Sequence, residues 1–374
     1  MRVVDISQRK GVILNSRQGL RPIGSDAWIQ NSRLAVQDAV SNGYRLLTSV
    51  GMNSWEMVLS LASKSGAYQK VFVPLLEGEK PEHLKRYYME QFRLNEGLIA
   101  WSFVEVADGP HKNRVFQQAR DRQMMDETEV IYPVSIREGG NLEALLREAR
   151  TRGKEIRTEF ATEYSENLHR CKTEVDPKKL DCSVDARLAD HVIHWTKASN
   201  GPWPGEGLHD FYEAVCDSSC RYPRSGLDTL IRILAEGRVR ACSRHYRKGA
   251  AAVAFSSLRP SEAARLMKWR ARYREMTFEP YGIAIRGSYA EAIGIKKVFY
   301  GNPEMYDYLG PGERPYFQSI GTKGYWIPEK EYRHIGDVDL TMIPRDDMRA
   351  VVWKKDEVEQ VEGMFSGPTT SLYT

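Results

Sequence analysis

Residues 46–75, LLTSVGMNSWEMVLSLASKSGAYQKVFVPL, hold two short apolar runs on either side of a helical pattern. Between Ser54 and Ser65 the apolar residues recur near a period of 3.6, which predicts a helix, whereas the apolar runs before and after it predict strands. The first strand turns sharply through Ser49 and Gly51 into the helix. The stretch is therefore predicted to be a strand, a helix and a second strand.

The same alternation continues on both sides of this stretch. Beside the strands at 44–49 and 70–76 and the helix at 54–65, strands are predicted at 11–15 and 129–134 and helices at 28–42, 83–95 and 141–152. Strands that alternate with helices favour a doubly wound parallel sheet. We therefore expect an α/β Rossmann-like domain over 1–160.

The regular alternation of predicted strands and helices ends in the second half of the sequence. Residues 161–187 are charged and weakly periodic, and short predicted strands then recur among long loops up to residue 365. The prediction is a connector over 161–187, a smaller α+β domain over 188–365 and a tail over 366–374. A chain of 374 residues also exceeds the roughly 250 to 300 at which single cores stop growing, which favours two domains.

The bulk composition is that of a globular protein, with 41% hydrophobic and 28% charged residues. No apolar run approaches the roughly 20 residues of a membrane span, and the first residues lack a signal-peptide core. We expect a cytoplasmic protein without a membrane partner. The net charge of +4 permits an acidic partner but does not require one.

The five cysteines do not form an evident disulfide framework or zinc motif. The spacings of Cys216 with Cys220 and of Cys171 with Cys182, with His169 or His209 nearby, leave a zinc site open as an alternative, although unrelated reduced thiols explain the pattern more simply. We expect no metal.

Two turns in the first half suit a phosphate group. The turn through Ser49 and Gly51 leaves free backbone N–H groups at a helix N-terminus, and a second strand reaches a helix through Gly139 and Gly140. In a parallel sheet both turns would face one crevice. Tight packing explains a single glycine equally well.

This half resembles the Rossmann-like superfamily that contains the DNA-processing protein A family and the nucleotide-sensing and lysine-decarboxylase-like domains. The resemblance covers residues 8–160 and is carried by 46–75 and by 120–156, RDRQMMDETEVIYPVSIREGGNLEALLREARTRGKEI. It implies that nucleotide or single-stranded nucleic-acid phosphates bind at Ser49, Gly51, Arg122, Arg137, Gly139 and Gly140. The residues at 53–56, NSWE, replace another signature of the DNA-processing members, which leaves the ligand open.

In the second half, the strand DHVIHWTKA at 190–198 ends in His194, Trp195 and Thr196. A histidine at a strand end is more often structural than catalytic. Further along, Glu329 and Glu331 are two residues apart, which places both carboxylates on one face of a strand. A solvated strand edge with an ion pair is the simpler interpretation of that pattern.

These features together resemble the ADP-ribosyltransferase fold, with its His-x-Thr strand, a short helix within 226–241 whose end is marked by Gly237, and a late strand that carries a glutamate. The resemblance implies that His194 and Thr196 bind NAD, that Glu331 is the catalytic carboxylate and that Glu329 assists it. A carboxylate of this kind stabilises the oxocarbenium ion that forms as the glycosidic bond breaks. The resemblance further assigns hydroxyl groups of Ser256 and Ser257 to the site and stacks Tyr281 on the nicotinamide.

Residues 188–355 also resemble domains of abortive-infection and phage-defence proteins, through the patterns at 253–257, 279–285 and 329–333. Arginines next to aromatic residues then indicate nucleic-acid binding, because such pairs clamp phosphates and stack bases. They are Arg244, Arg270, Arg272 and Arg274. A solvated amphipathic helix would show the same pattern.

Together these features predict a DNA-directed base-modifying enzyme of a bacterial modification or phage-defence system. The most concrete form is ADP-ribosyl transfer from NAD to a nucleobase in single-stranded or modified DNA. A second form is hydration of the nitrile of 7-cyano-7-deazaguanine in DNA, which needs no cofactor and for which Cys242, Glu331 or His194 would serve. A non-catalytic nucleotide sensor is the third, and a homodimer stays open.

Overall fold

The computed structural model describes residues 9–107, 109, 112–166, 170–243, 251–320 and 327–374. The chain begins with β1 (Lys10–Asn15), α1 (Ala27–Ser41), β2 (Arg45–Ser49), α2 (Asn53–Lys64), β3 (Gln69–Leu76), α3 (Pro81–Phe92), β4 (Ile99–Val106), α4 (Lys112–Glu127), β5 (Val130–Ser135), α5 (Asn141–Thr151) and β6 (Glu155–Ile156). It continues with α6 (Val184–Arg187), β7 (His191–Trp195), α7 (Leu208–Asp217), α8 (Gly226–Glu236), β8 (Arg238–Val239), β9 (Ala252–Ser256), α9 (Pro260–Ala264), β10 (Trp269–Arg270), β11 (Glu275–Met276), β12 (Gly282–Arg286), α10 (Gly287–Ala292), β13 (Lys296–Lys297), β14 (Phe299–Gly301), α11 (Met305–Tyr308), β15 (Phe317–Ser319), β16 (Glu331–Ile335), β17 (Val338–Asp339), β18 (Met348–Val352), α12 (Val358–Glu362) and β19 (Thr369–Ser371).

The chain divides into two compact units. The first comprises Met1–Arg170 and Gly201–Pro223, and the second comprises Cys171–Asn200 and Arg224–Thr374. Residues 201–223, which the sequence assigns to the second domain, belong to the first unit because α7 packs there, with the ring of Tyr212 stacked 6.1 Å from that of Phe92. The predicted tail contributes β19, which pairs with β18.

The first unit contains a parallel six-stranded sheet in the order β4-β3-β2-β1-β5-β6. Its central strands β1, β2 and β5 are buried among helices, as the apolar runs at Val12, Leu47 and Ile131 require. This confirms the α/β Rossmann-like core. The strand order reverses between β1 and β5, so their carboxyl ends border the crevice at which sheets of this kind bind ligands.

Several elements of this unit, the strand β4 and the helix α4 among them, are not among the predicted ones. The edge strand β4 pairs with β3 along its full length, and α4 leads from it back to β5. Helix α4 is mostly polar and buries few apolar side chains, among them Phe116, Met124 and Met125. Its apolar stripe is too sparse to give a helical period.

The second unit contains a mixed seven-stranded sheet in the order β13-β16-β9-β7-β12-β18-β19. All its pairs are antiparallel except β18 with β19. Helix α8 packs against one side of it, begins at a capping box formed by Ser225 and Asp228, and ends at Gly237 with φ 60°. The left-handed cap is the helix end that the sequence predicts at Gly237.

The two faces of this sheet differ, and they are named here by one residue each. Val192, Phe255 and Ile283 lie in the core on the His194 face, whereas Ile193 and Ala284 lie in the core on the Glu331 face. Side chains alternate between faces along each strand, and paired residues of neighbouring strands point the same way.

One predicted detail is wrong. Glu329 and Glu331 do not share a strand, because Glu329 ends a 3₁₀ turn and Lys330 adopts a left-handed φ of 45° before β16 begins. The alternative interpretation of the arginine-rich stretch as an amphipathic helix does not hold for residues 269–276, which form the β10–β11 hairpin. Among the described residues, none of the helices combines the length and apolar character needed to cross a membrane.

Candidate functional site

A cavity of about 410 Å³ lies on the Glu331 face of the second unit. Strand pairing places its floor, because Ile193 of β7 pairs with Ser256 of β9, and Ser256 pairs with Glu331 of β16. Arg333 pairs with Ala254 in the same way and points to the same side. The register of three strands therefore sets which side chains meet in the cavity.

The Glu331 carboxylate is held in a fixed position by Arg333. Arg333 donates from Nε to one carboxylate oxygen at 2.7 Å and from Nη2 to the other at 3.0 Å. The same guanidinium donates to the carbonyl oxygens of Pro315 and Phe317 and to Oε1 of Gln318. Its side chain is only 3% exposed. A guanidinium with this many acceptors cannot rotate freely, so it orients Glu331.

The second carboxyl group is Glu329, which the 3₁₀ turn brings to the same cavity. Arg270 donates from Nη2 to its Oε1 at 3.1 Å. Burial raises the pKa of Glu329, the nearby charge of Glu331 raises it further, and Arg270 and Lys197 oppose the shift. Both carboxyl groups are therefore paired with an arginine, and burial shifts the balance at Glu329 towards the protonated form.

An aromatic wall completes the cavity. The rings of Trp195 and Phe278 stack at 6.1 Å with an interplanar angle of 14°. Tyr273, in the turn of the β10–β11 hairpin, also lines the cavity and is 45% exposed. Lys197 forms an ion pair with Glu275 at 2.9 Å on another side. Flat apolar walls beside charged groups suit a planar ring with polar substituents.

His194 and Thr196 do not lie in this cavity. His194 pairs with Ile283 on the His194 face, where Nδ1 is 2.8 Å from the carbonyl oxygen of Ala254. Burial lowers its pKa, which favours the neutral ring. Thr196 is 2% exposed and donates to the carbonyl oxygen of Gly226 at 2.7 Å. The structure does not bring either residue together with Glu331.

Tyr281 also lies in the core on the His194 face. It is 7% exposed, and its hydroxyl donates to Oε1 of Glu357 at 2.8 Å. Burial raises its pKa. The ring is therefore not available for stacking in the cavity.

The remaining predicted residues of the second unit have mixed positions. Ser256 lines the cavity and donates to the carbonyl oxygen of Glu329 at 2.6 Å. Ser257 and Cys242 do not line it. Arg272 is exposed and lies over the Tyr273 ring at 5.7 Å, in the hairpin that contributes Arg270 to the wall. Arg274 follows in that turn with φ 52°, and Arg244 lies outside the described residues.

In the first unit, both predicted phosphate turns are occupied by carboxylates of the chain itself. Gly51 has φ 85°, as the turn requires, but its N–H donates to Glu56 at 2.9 Å. Gly139 has φ 68°, and its N–H donates to Glu143 at 2.8 Å. A carboxylate in this position satisfies the amide and repels a phosphate. The N–H of Gly140 donates to the carbonyl oxygen of Arg137.

The polar side chains predicted beside these turns are also used elsewhere. The Ser49 hydroxyl is fully buried and donates to the carbonyl oxygen of Phe72 at 2.9 Å. Arg122 pairs with Glu148 on the surface, and Arg137 is exposed. The structure brings Ser49 close to Arg120 rather than to Arg122.

Sequence reasoning missed several residues that line the cavity. Arg333 was detectable, because an arginine two residues after Glu331 on a strand lies on the same face. Trp195 and Phe278 were not detectable from the sequence. They are far apart in the chain, and their rings meet only because the segment after the β10–β11 hairpin packs against the end of β7. Arg270 was assigned to nucleic acid alone, but it contacts Glu329.

The described cysteines are all free thiols. Cys216 is buried against Met57, and burial raises the pKa of its thiol. Within the described ranges no group of three or more His, Cys, Asp or Glu side chains is placed to hold a metal ion.

Comparisons with known proteins give no family for this chain. No family model matches it, and no curated protein matches it significantly.

Proposed function

We propose that the second unit is a cofactor-independent enzyme that modifies a nucleobase in DNA by acid–base chemistry. The observation that carries this proposal is the pair of unlike carboxyl groups, Glu329 and Glu331, in one cavity with the stacked rings of Trp195 and Phe278. A buried acid beside a fixed carboxylate divides the roles of proton donor and proton acceptor between the two groups.

The most concrete reaction is hydration of the nitrile of 7-cyano-7-deazaguanine to the amide. Water adds its oxygen to the nitrile carbon while Glu331 accepts one water proton and Glu329 donates its proton to the nitrile nitrogen. The imidic acid tautomerises to the amide, and a proton passes from Glu331 back to Glu329 through solvent. Of the three residues that the sequence suggests for this chemistry, only Glu331 lines the cavity; His194 and Cys242 do not.

The surroundings of the cavity support a base in DNA as the substrate. Enzymes that act on a base must first take it out of the stack and hold it between aromatic or apolar side chains. Trp195 and Phe278 supply such a wall, and Arg272 and Tyr273 present a cation and an exposed ring on the adjacent hairpin. A phosphate and a neighbouring base fit that pair.

ADP-ribosyl transfer from NAD remains a proposal with less support. Its two carboxylates are together in the cavity, but His194 and Thr196 face the other side of the sheet and are engaged with backbone carbonyl groups. ADP-ribosyl transfer would therefore need side chains other than His194 and Thr196 to hold the nicotinamide.

Mass spectrometry of an oligodeoxynucleotide that carries 7-cyano-7-deazaguanine tests both reactions. We expect the mass of one water to be gained in the absence of NAD, with plain guanine unchanged. A gain of one ADP-ribose that requires NAD would instead establish the transferase. Glu291→Gln, which alters an exposed carboxylate of the same unit, is the matched control for Glu331→Gln. Turnover that survives in Glu331→Gln, or no product of either kind, would contradict the proposal.

A further inference from the structure

A second cavity, of about 240 Å³, lies in the first unit at the carboxyl ends of β1 and β5. Ser135 at the end of β5 and the loop that follows β1 line it. The strand order reverses between these two strands, which is where sheets of this kind bind ligands. The cavity is separate from the turns at Gly51 and Gly139.

The N-terminus of α1 borders this cavity through Ala27 and Trp28. Helix α1 is 15 residues long, and its N-cap residue, Asp26, makes no side-chain hydrogen bond to the helix. The Asp26 carboxylate instead accepts from the Ile23 N–H and from Arg170. The N–H groups of Ala27 and Trp28 donate to no described residue. Such a helix end attracts an anion.

Gln18 is an independent indication of a ligand. Its side chain lines the cavity and is 1% exposed. Nε2 donates to Ser16 O and to Ser135 Oγ, both at 3.2 Å, whereas Oε1 accepts no hydrogen bond within the part of the chain that the structure describes. A buried acceptor without a donor is costly, so a ligand O–H or N–H would stabilise it.

The wall of the cavity contains two arginines and two carboxylates, Arg21, Arg170, Asp26 and Glu163. Arg170 is neutralised by a bidentate pair with Asp26 at 2.6 and 2.8 Å. Arg21, 3% exposed, also lines the cavity and donates from Nη1 to the carbonyl oxygen of Arg170 at 3.3 Å, and Glu163 adds an acceptor. The cavity therefore offers cationic and N–H groups for an anion, and acceptor oxygens for hydroxyl groups.

We propose that this cavity binds a phosphorylated sugar. The phosphate would lie at the N-terminus of α1 with Arg21, and sugar hydroxyl groups would donate to Gln18 Oε1 and Glu163. The volume is below the roughly 300 to 1,000 Å³ of most small-molecule sites, which fits a phosphosugar moiety rather than a larger ligand. This site depends on the first unit alone and is independent of the function proposed for the second.

Isothermal titration calorimetry on the full chain tests the proposal with ribose 5-phosphate, ribose, inorganic phosphate and adenosine 5′-monophosphate as probes. We expect ribose 5-phosphate to bind at least about tenfold more tightly than ribose or inorganic phosphate, since each of these lacks one set of contacts. If adenosine 5′-monophosphate binds as tightly as ribose 5-phosphate, the phosphosugar is part of a nucleotide. If adenosine 5′-monophosphate binds more weakly than ribose 5-phosphate, the ligand is a free sugar phosphate.

Gln18→Glu sharpens the test, because it places a negative charge beside the phosphosugar with little change in size. We expect a loss of affinity of at least about tenfold, and none in the matched control Gln118→Glu on the exposed side of α4. If circular dichroism shows that Gln18→Glu is unfolded, Gln18→Met removes the acceptor without adding charge and should weaken binding severalfold. No binding of either phosphosugar, equal binding of inorganic phosphate, or unchanged affinity in the folded Gln18 variant would overturn the proposal.

Discussion

The two faces of the sheet in the second unit come from the same strands and differ completely in chemistry. On the His194 face, the polar groups of His194, Thr196 and Tyr281 are engaged with the protein, and apolar side chains fill the space between them. On the Glu331 face, charged groups and aromatic rings surround a cavity of about 410 Å³. A polar residue in a strand indicates function only when its face opens to a ligand.

The largest effect that this contrast predicts is for Glu331→Gln, on the open face. Turnover of the cyano base should fall by about 10²- to 10⁴-fold, the usual contribution of a general acid–base group. Quench-flow or steady-state kinetics measure this turnover. The rate is expressed per mole of folded protein, because loss of the ion pair with Arg333 also lowers stability. Glu291→Gln should retain wild-type turnover, and a similar loss in both variants would point to a global defect.

The second largest effect is on the pH dependence of kcat, which Glu329 should control. Its raised pKa makes it a proton donor that acts below that pKa and is lost as the pH rises through it. The alkaline limb of the kcat profile should therefore disappear in Glu329→Gln, with a residual rate about 10²-fold lower. Folding stability should follow the same sign, because a raised pKa stabilises the fold at low pH and loses that contribution as the pH rises. An unchanged alkaline limb would remove Glu329 from the chemistry.

On the closed face, Thr196→Val should affect stability and leave turnover unchanged. The substitution leaves the buried carbonyl oxygen of Gly226 without its donor, which costs about 1 to 3 kcal/mol of unfolding free energy. Urea denaturation measures the loss, and the kinetic assay measures turnover. A large fall in kcat with wild-type stability would return Thr196 to the active site and support NAD binding on that face.

The smallest expected effect is for Tyr281→Phe, which removes one hydrogen bond to Glu357 and keeps the ring. We expect a loss of about 1 kcal/mol in unfolding free energy and no change in KM for the base. Thermal denaturation and steady-state kinetics check the two parts. A rise in KM without a change in stability would mean that the ring contacts substrate.

The first unit was the more predictable part of the fold. The stretch from Leu46 to Leu75 contains strand and helix periods that a parallel sheet uses directly, and β2, α2 and β3 lie within about one residue of their predicted bounds. Helix α4 was missed because few of its side chains are apolar. The turns at Gly51 and Gly139 were located correctly, but the carboxylates of Glu56 and Glu143 occupy their amides.

The candidate site in the second unit was predictable only in part. Both glutamates lie together as expected, although for another reason, since a 3₁₀ turn and a left-handed Lys330 bring Glu329 to the cavity. The pairing of Glu331 with Arg333 follows from their spacing on β16. The sequence grouped His194 with Glu331, but the two side chains lie on opposite faces of the sheet. Side chains alternate along a strand, so a difference of one residue moves a side chain to the opposite face.

The sequence by itself determined the local periods, the glycine positions with left-handed φ and the two sets of strands. It did so because helix and strand patterns are properties of neighbouring residues. Only the tertiary structure decided which polar groups meet. The register of β7, β9 and β16 selects Ser256, Glu331 and Arg333 for one face and His194 for the other, and the reversal of strand order between β1 and β5 places Gln18 beside the start of α1. These contacts are between residues far apart in the chain, so no local sequence pattern predicts them.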